Sequence, residues 1–239
     1  MAKKAKPQNE IPKHIVIIPD GNRRWSHGKK LTLLHGYSEG IERLGDLLKW
    51  CNEFDIRMLS LWGFSTENFN RDQSEVDTLI SLFNSKLREA LTHDEYHKHK
   101  VRVRFYGRRD MFPLYIQHQI SELEKSTKNY HNFFLNILLG YGGRQELVDA
   151  AKAIAKDYKN KNPDQIDERV FSSHLNTGDL PDPDLIIRTS GEQRLSGLLP
   201  WQSAYSELYF SKKLWPDFSK RDLKKAIDEF SRRKRRYGT

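Results

Sequence analysis

Short apolar runs alternate along the chain with longer segments in which apolar residues recur every three or four positions. The short runs are rich in Ile, Leu, Val and aromatic residues and predict six β-strands: Ile15–Ile18, Met58–Phe64, Val101–Tyr106, Phe133–Leu139, Leu185–Ile187 and Leu208–Phe210. The periodic segments predict helices with one buried face: residues 41–54, 79–91 (with Ser74 as the N-cap), 147–154 and 223–230. This alternation predicts a single α/β domain with a mostly parallel six-stranded sheet flanked by helices.

The composition of the 239 residues is that of a globular protein, because 37% are hydrophobic and 31% are charged. A single cysteine, Cys51, excludes an internal disulfide framework and suits a reducing cytosol. No apolar run approaches the ~20 residues that span a bilayer, and Met1 begins a Lys-rich stretch rather than a signal peptide. We therefore expect a cytoplasmic protein.

The net charge of +9 is concentrated at the two ends of the chain. We predict a basic, flexible N-terminal segment over residues 1–13 and a folded domain over residues 14–239 that ends in a basic tail. Basic ends of this kind bind nucleic acid, an anionic membrane surface or a phosphorylated substrate. A solvated terminal helix explains such a run equally well.

Polar and glycine-rich segments follow four of the predicted strands. They are Asp20–Trp25, Phe64–Asn68 with Arg71, Gly140–Arg144, and Arg188–Glu192 with Arg194 and Ser196. In parallel sheets, ligands bind beyond the carboxyl ends of the strands, so we expect these segments to meet. Arginines, hydroxyl groups and backbone amides together are typical of a site for phosphate oxygens.

Carboxylates among so many arginines suggest a metal. Mg²⁺ binds through one or two carboxylates together with substrate phosphates, and Asp20 and Glu207 are the candidate ligands. The glycines of residues 140–143 lack the spacing of a dinucleotide fingerprint or a Walker loop, so nucleotide binding is not predicted there. The sequence therefore predicts a site for one or more diphosphates with Mg²⁺.

These motifs, together with Glu75 and the segment Trp201–Glu207, resemble those of cis-prenyltransferases, the undecaprenyl and dehydrodolichyl diphosphate synthases. The resemblance runs from about His14 to Gly238, and the form of residues 22–25 is more archaeal or eukaryotic than bacterial. It implies a Z-type prenyl synthase fold that encloses a hydrophobic tunnel, with residues 14–239 as the catalytic domain of a homodimer. It also implies repeated cis addition of isopentenyl diphosphate to farnesyl or geranylgeranyl diphosphate. The product would be a polyprenyl diphosphate of undecaprenyl class, the precursor of a glycosyl carrier lipid.

The resemblance also assigns roles to single residues. Asp20 would be the main catalytic carboxylate and, with Glu207, a Mg²⁺ ligand. Ser65 and Asn68 would assist near the reacting carbon or in proton removal. Because an amide is a poor base, Asn68 is expected to orient groups while another atom takes the proton. Allylic diphosphate would bind Gly21, Asn22, Arg23 and Arg24, and isopentenyl diphosphate would bind Arg188, Arg194 and Ser196. The further residues expected to bind substrate are Trp25, Tyr37, Phe64, Thr66, Glu67, Phe69, Arg71 and, reaching into the partner subunit, Arg236 and Gly238.

Three positions depart from the family pattern. Leu33 stands where many relatives have Arg, Tyr37 where they have His, and Pro200 where they have an aliphatic residue. These changes bear on the choice of primer and acceptor. An apolar stripe made of Leu79, Ile80, Phe83 and Leu87 fits either a tunnel wall or an ordinary core.

Other functions fit parts of the sequence. One alternative is a non-catalytic partner subunit of a two-subunit cis-prenyltransferase, but such subunits lose the carboxylate that Asp20 provides here. A trans-prenyltransferase would be all-helical with Asp-rich motifs that do not occur. A nucleic-acid-binding module would use the basic ends, but it leaves the strand-end motifs unexplained, so we expect no nucleic acid partner. Transient attachment to a membrane surface is a further hypothesis, because the product is apolar and the ends are basic.

Overall fold

Six parallel strands form one sheet in the computed structural model, which describes residues 10–233 (Glu95 by its backbone only). The strands are β1 His14–Ile18, β2 Met58–Ser65, β3 Val101–Tyr106, β4 Phe133–Tyr141, β5 Leu185–Arg188 and β6 Glu207–Phe210. Their order in the sheet is β3-β4-β2-β1-β5-β6. The predicted strands and the predicted parallel sheet are confirmed, since each strand lies within two residues of its predicted bounds.

Helices connect the strands and cover both faces of the sheet. Those of the described residues are α1 Asn22–Gly28, α2 Leu33–Glu53, α3 Gln73–Thr92, α4 Glu95–Lys98, α5 Leu114–Thr127, α6 Gly143–Asp157, α7 Glu168–Ser173 and α8 Lys220–Arg232. The periodicity found α2, α3, α6 and α8 but missed α1, α4, α5 and α7. Ser74 is not the N-cap of α3: the N-cap is Asp72, and Ser74 is already the second residue of the helix. No helix of residues 10–233 is long and apolar enough to cross a bilayer.

The predictions for the two chain ends concern residues that the structure describes only in part. The predicted flexible segment lies mostly in residues 1–9, and the expected binding residues Arg236 and Gly238 follow residue 233. All of these lie outside the described residues.

Apolar side chains of the strands point to both faces of the sheet, as expected where helices cover each face. On β1, Ile15 and Ile17 join the larger core beneath α2, α3, α5 and α8, while Val16 and Ile18 join a smaller core on the other face. All four side chains are buried. The sheet is therefore the rigid middle layer on which the loops at its carboxyl edge are mounted.

Two glycines let α1 lie directly against α2. A Cβ at Gly36 would be 1.9 Å from the Ser26 Oγ, and a Cβ at Gly40 would be 2.4 Å from the Asn22 Oδ1. Gly21, just before α1, has a φ of 111°, in the left-handed region that favours glycine. This close approach fixes the position of the chain that leaves β1.

A buried polar row crosses the middle of the sheet at its amino side. The His14 Nε2 lies 2.8 Å from the Ser60 Oγ, which also accepts from the Asn136 Nδ2 at 3.1 Å. The Nδ1 of the same histidine lies 2.9 Å from the Pro181 carbonyl oxygen. Burial lowers the pKa of His14 to about 4, against the opposing effects of the Pro181 carbonyl and of Asp184.

The depressed pKa of His14 predicts a loss of stability in acid. Below pH 6.5 the His14 side chain binds a proton in the unfolded chain, whereas in the folded protein it stays neutral down to about pH 4. The free energy of unfolding should therefore fall by about 3 kcal/mol over this range because of His14 alone. Urea unfolding at several pH values gives the slope of the free energy of unfolding against pH. This slope should be shallower for His14→Gln and unchanged for His35→Gln, which alters an exposed histidine. Equal slopes for His14→Gln and the unsubstituted protein would contradict the assignment.

Candidate active site

A cavity of about 1,580 Å³ lies between the sheet and the helices α2 and α3. It is larger than the 300–1,000 Å³ that is usual for small-molecule pockets. It runs along the strands, from Asp20 and Ser65 at the carboxyl edge of the sheet to Val101 and Phe133 at the amino edge. Its middle section is lined by apolar side chains that include Leu44, Leu48, Leu61, Leu79, Phe83, Leu87, Leu135 and Ile137. The cavity is therefore a tunnel with a polar entrance at the carboxyl edge.

The apolar stripe of α3 contributes to this wall as expected. Leu79, Phe83 and Leu87 line the cavity, whereas Ile80 packs against the core. The two interpretations of the stripe, tunnel wall and core, thus apply to different members of the same helix.

Asp20 lies at the entrance, directly after β1. Its main-chain carbonyl accepts from the Thr189 hydroxyl at 2.7 Å and from the Trp215 amide at 3.1 Å, so its backbone is held from both sides. Its carboxylate accepts from the Arg188 Nη2 at 2.8 Å and from the Arg24 Nη2 at 3.3 Å. Burial opposes its ionisation, but the hydrogen bond from Arg188 and the nearby positive charges outweigh burial and hold the pKa of Asp20 below its usual range.

Arg188, the last residue of β5, is 6% exposed and organises the loop that follows. Its Nη1 donates to the Arg194 carbonyl at 2.5 Å and to the Ser196 Oγ at 2.8 Å. Its Nε is buried without a hydrogen-bond partner among the described residues. An unpaired guanidinium N–H is costly in a folded protein unless a ligand supplies an acceptor. This orphaned donor is what an anion at this position would satisfy.

Glu192 forms ion pairs with two further arginines near the entrance, Arg24 and Arg194. Arg24 lies 3.4 Å from the Glu192 carboxylate, which also forms an ion pair with Arg194. The Arg194 side chain is 62% exposed. These guanidinium groups stay near the entrance without being buried, so an incoming anion can reach them.

A third cluster joins α1, α2 and α3 at the entrance. The Tyr37 hydroxyl donates to the Glu75 Oε1 at 2.6 Å, and the Arg71 Nη1 donates to both at 2.8 Å. The Arg23 guanidinium lies 3.8 Å from the other oxygen of the buried Glu75 carboxylate. Burial opposes ionisation of Glu75, but the Tyr37 hydrogen bond and the two arginines hold its pKa below the usual range. The phenol of Tyr37 keeps its proton, since burial and Glu75 raise its pKa.

Ser65 and Asn68 line the entrance where β2 ends and a short 3₁₀ segment, Thr66–Asn70, begins. The Ser65 amide donates to the Asn68 Oδ1 at 3.0 Å. This bond turns the donor end of the Asn68 amide away from the backbone. The role of Asn68 in the reaction stays a prediction.

Several expected site residues make structural contacts within the chain. Trp25 is buried, and its Nε1 donates to the Asp217 carboxylate at 2.8 Å, so it anchors α1. Phe69 packs edge-on against Phe64 and Phe112, and of these Phe64 lines the tunnel. Thr66 packs closely against Gly142: a Cβ on Gly142 would be only 2.4 Å from the Thr66 Oγ1. Of the remaining expected residues, those that line the cavity are Asn22, Tyr37, Glu67, Arg71 and Ser196.

The expected pair of metal ligands, Asp20 and Glu207, is not brought together within one chain. The register pairs Glu207 with Leu185 and Leu185 with Ile15, so Glu207 begins β6 at the amino side of the sheet. Asp20 follows the opposite, carboxyl end of β1. The Glu207 carboxylate instead accepts from Arg233 at 2.7 Å. Parallel register, which the spacing of the motifs does not reveal, decides this separation.

Sequence reasoning missed Glu146, a buried carboxylate behind the entrance. One of its oxygens accepts from the Thr177 amide and hydroxyl, both at 2.9 Å. The other accepts from the Tyr141 hydroxyl at 2.5 Å and from the Gln202 Nε2 at 3.1 Å. Glu146 thereby ties the end of β4 and the start of α6 to residues 196–202. Its place on α6, three residues after Gly143, was visible in the sequence, but its burial was not.

Gly143 makes the same connection through the backbone. Its amide donates to the Gly197 carbonyl at 3.1 Å, and a Cβ on Gly143 would be 2.2 Å from that oxygen. Ser196 has a φ of 53° and Leu199 a φ of 44°, both in the left-handed region. Side chains other than glycine are uncommon there, and such strain is concentrated at functional sites. The loop that carries Ser196 is therefore held in one conformation.

The entrance fits a divalent metal that is bound together with phosphate groups. Asp20 is an ionised oxygen donor at the tunnel wall, which is the type of ligand that Mg²⁺ prefers. Residues 10–233 contain no cluster of three or more His, Cys, Asp or Glu side chains that would hold a metal by itself. Mg²⁺ usually keeps only one or two protein carboxylates and completes its shell with substrate phosphates and water. The donor set agrees with that mode of binding.

Comparison with known proteins yields one consistent result. The family model for undecaprenyl diphosphate synthase matches residues 18–238. The chain is 44% identical over 229 residues to the tritrans,polycis-undecaprenyl-diphosphate synthase (geranylgeranyl-diphosphate specific) of Thermoplasma acidophilum, covering 95% of this chain and 89% of that protein. It is 43% identical over 233 residues to the protein of the same name from Methanopyrus kandleri, covering 97% and 86%. The crystal structure of lavandulyl diphosphate synthase from Lavandula x intermedia, in complex with dimethylallyl diphosphate, superposes with a TM-score of 0.91 at 33% identity, covering 96% of this chain and 99% of that one.

Proposed function

The chain belongs to the undecaprenyl diphosphate synthase family of cis-prenyltransferases, and from this premise we propose that it extends geranylgeranyl diphosphate in a Mg²⁺-dependent reaction. Isopentenyl diphosphate would be added repeatedly with cis geometry to give a polyprenyl diphosphate of undecaprenyl class, the precursor of a glycosyl carrier lipid. The choice of primer follows the archaeal relatives, whose names specify geranylgeranyl diphosphate. Farnesyl diphosphate is the competing primer.

One observation carries this proposal. Asp20 is fixed between Arg188 and Arg24 at the polar mouth of a long apolar tunnel. A diphosphate fits the guanidinium groups, and a hydrocarbon chain fits the tunnel. Each methylene buried there contributes ~0.8 kcal/mol, so a growing polyprenyl chain is held increasingly tightly.

The entrance residues would act on the separation of charge in the reaction. Breaking the allylic C–O bond leaves negative charge on the departing diphosphate and positive charge on the allyl group. Arg23 and Arg24 at the start of α1 would bind the allylic diphosphate, and Arg188, Arg194 and Ser196 would bind that of isopentenyl diphosphate. Groups fixed before the reaction stabilise the developing charge without reorganising, which is commonly worth ~3–4 kcal/mol per donor.

Asp20 would hold Mg²⁺ together with the diphosphate oxygens. When bound, Mg²⁺ supplies Lewis-acid stabilisation of the leaving diphosphate. The Arg188 and Arg24 hydrogen bonds keep the Asp20 carboxylate ionised and correctly oriented for that purpose. Asn68, with its amide oxygen occupied by Ser65, would orient the reacting groups.

Contributions from a second subunit are part of the same proposal. We expect a homodimer in which Arg236 and Gly238 of one chain complete the site of the other. Glu207, which lies away from Asp20 within one chain, retains its predicted role as a metal ligand only in that setting. The sedimentation coefficient of the purified protein tests the dimer directly.

The test of the function is an assay of the purified chain. Labelled isopentenyl diphosphate, Mg²⁺ and either geranylgeranyl or farnesyl diphosphate are incubated, and the products are resolved by chain length. We expect one long product, formed faster from geranylgeranyl diphosphate and abolished by EDTA. A chain that leaves the label unextended with both primers would instead be the non-catalytic partner subunit considered above.

Glu146 provides a more selective prediction. Glu146→Gln removes the negative charge that accepts hydrogen bonds from Thr177, Tyr141 and Gln202. Hydrogen bonds to a charged group contribute ~1.5–3 kcal/mol each to stability. The loop carrying Ser196 should then lose its fixed position, and the KM for isopentenyl diphosphate should rise about tenfold. The KM for the allylic primer should change little, because Arg23 and Arg24 lie on α1. An equal rise in both KM values would show a general loss of structure. The control is Asp149→Asn, which neutralises a partly exposed carboxylate on the same helix.

A further inference from the structure

The tunnel entrance is bordered by a short rim that is both basic and apolar. We define this entrance rim as residues 29–34, the connection from α1 to the first residues of α2. Tyr37 and Gly40, on the next turn of α2, line the cavity. Asn22, at the start of α1, lines it as well. The entrance rim therefore lies along the chain between residues that line the tunnel.

Leucine side chains of the entrance rim point into solvent. Leu31 is 40% exposed and Leu34 is 50% exposed, and Leu33 between them is only partly buried. Single exposed leucines are common on protein surfaces and need no explanation. Three accessible leucines within four residues, at the mouth of a tunnel, form a patch of the kind that marks an interaction surface.

Lysines flank this patch. Lys29 lies 3.9 Å over the Trp25 ring and 3.9 Å from the Asp217 carboxylate, with its side chain 53% exposed. Lys30 is exposed beside it. Basic side chains next to exposed leucines are typical of protein surfaces that contact anionic lipid. Protein-binding hot spots instead favour Trp, Tyr and Arg in concave pockets, none of which the entrance rim presents.

Lys30 occupies a position that favours glycine. Its φ is 57°, and the bonds from the Leu31 amide to the Ser26 carbonyl and from the Lys30 amide to the His27 carbonyl form a Schellman turn. The residue at this point of such a turn is usually glycine because a side chain is strained there. A lysine at this position costs stability relative to glycine.

We propose that the entrance rim is a membrane-contact site, at which Leu31 and Leu34 enter the interface of an anionic bilayer while Lys29 and Lys30 meet its headgroups. This inference rests on the proposed function, since a long prenyl diphosphate partitions into bilayers through its chain. A rim that rests on the bilayer places the diphosphate-binding arginines at the depth of the substrate headgroup. Primer and product would then pass between membrane and tunnel with little exposure of the chain to water.

Co-sedimentation of the full chain with vesicles, without any substrate, tests the proposal. The vesicles are phosphatidylcholine with and without phosphatidylglycerol. Leu31→Ser with Leu34→Ser should lower the partition coefficient on the phosphatidylglycerol vesicles about tenfold. Leu114→Ser is the matched control, because Leu114 is 82% exposed on α5 and lies outside the entrance rim. All variants keep the basic ends of the chain, so binding through those ends alone would survive the double substitution.

A second variant separates stability from binding. Lys30→Gly should raise the melting temperature, because glycine adopts the left-handed conformation without strain. It should also weaken binding to the phosphatidylglycerol vesicles about fivefold, the loss of one lysine at an anionic surface. The two effects have opposite signs, so a loss of folding cannot imitate the expected result.

A polarity-sensitive label reports insertion directly. Cys51 is buried, so a thiol-reactive dye should label only the cysteine introduced by Leu34→Cys. The emission of this dye should shift to the blue on adding phosphatidylglycerol vesicles. The same dye on Leu114→Cys should not shift.

Two results would overturn the proposal. One is unchanged vesicle binding by the double leucine variant and by Lys30→Gly. The other is a changed sedimentation coefficient of these variants without a change in vesicle binding, since the entrance rim would then be an interface between protein chains. Vesicle binding is measured without catalysis, so a chain that extends no primer but binds through the rim would refute the proposed function and leave the membrane site standing.

Discussion

Asp20→Asn should lower kcat about a thousandfold while the protein stays folded. Asparagine has nearly the same shape as aspartate, so the Thr189 and Trp215 bonds to the main-chain carbonyl should persist. The substitution removes the charge that would hold Mg²⁺ against the leaving diphosphate. A thousandfold fall in kcat corresponds to a loss of ~4 kcal/mol of transition-state stabilisation. The KM for geranylgeranyl diphosphate should change little, because Arg23 and Arg24 remain.

The measurement is steady-state kinetics with both substrates, together with calorimetric titration of Mg²⁺ in the presence of inorganic diphosphate. Metal binding should be lost in Asp20→Asn. The control is Asp77→Asn, which removes an exposed carboxylate from the outer side of α3 and should leave kcat unchanged. Retained activity of Asp20→Asn would refute the role of this carboxylate and with it the centre of the proposed reaction.

Arg188→Lys should lower kcat/KM for isopentenyl diphosphate by about 10²–10³. The buried guanidinium spans the Asp20 carboxylate, the Arg194 carbonyl and the Ser196 hydroxyl, while its Nε is buried without a hydrogen-bond partner among the described residues. A lysine carries one point charge and cannot replace that planar set of donors. A lysine keeps the positive charge beside Asp20 but loses hydrogen bonds to the Arg194 carbonyl and the Ser196 hydroxyl, so the melting temperature should also fall.

Arg194→Lys is the matched comparison for Arg188→Lys. Arg194 is 62% exposed, so its ion pair with Glu192 is weak and its substitution should cost only about tenfold. The same kinetic experiment on both variants gives the ratio of the two effects. Similar losses would mean that burial and shared hydrogen bonding of Arg188 do not set its contribution.

The candidate site was predictable where the chemistry is local. Asp20, Ser65 and Arg188 each lie at or just after the end of a strand, and parallel strands bring such ends to one edge of a sheet. Glu75 was visible as part of a motif, but its role in gathering Tyr37, Arg71 and Arg23 depends on the packing of three helices. The motif position of Trp25 does not reveal that its indole is buried and donates to Asp217.

The amino-acid sequence by itself determined the strands, their parallel arrangement and the segments that meet at the entrance. These follow from apolar runs, from their lengths and from residues adjacent in the chain, which are local properties. Only the tertiary structure decided that Glu207 begins its strand far from Asp20, that Glu146 is buried against Thr177 and Gln202, and that the tunnel extends to the amino edge of the sheet. Each of these depends on strand register or on contacts between distant segments. Such contacts are set by how complete surfaces pack together, a property that no short stretch of sequence contains.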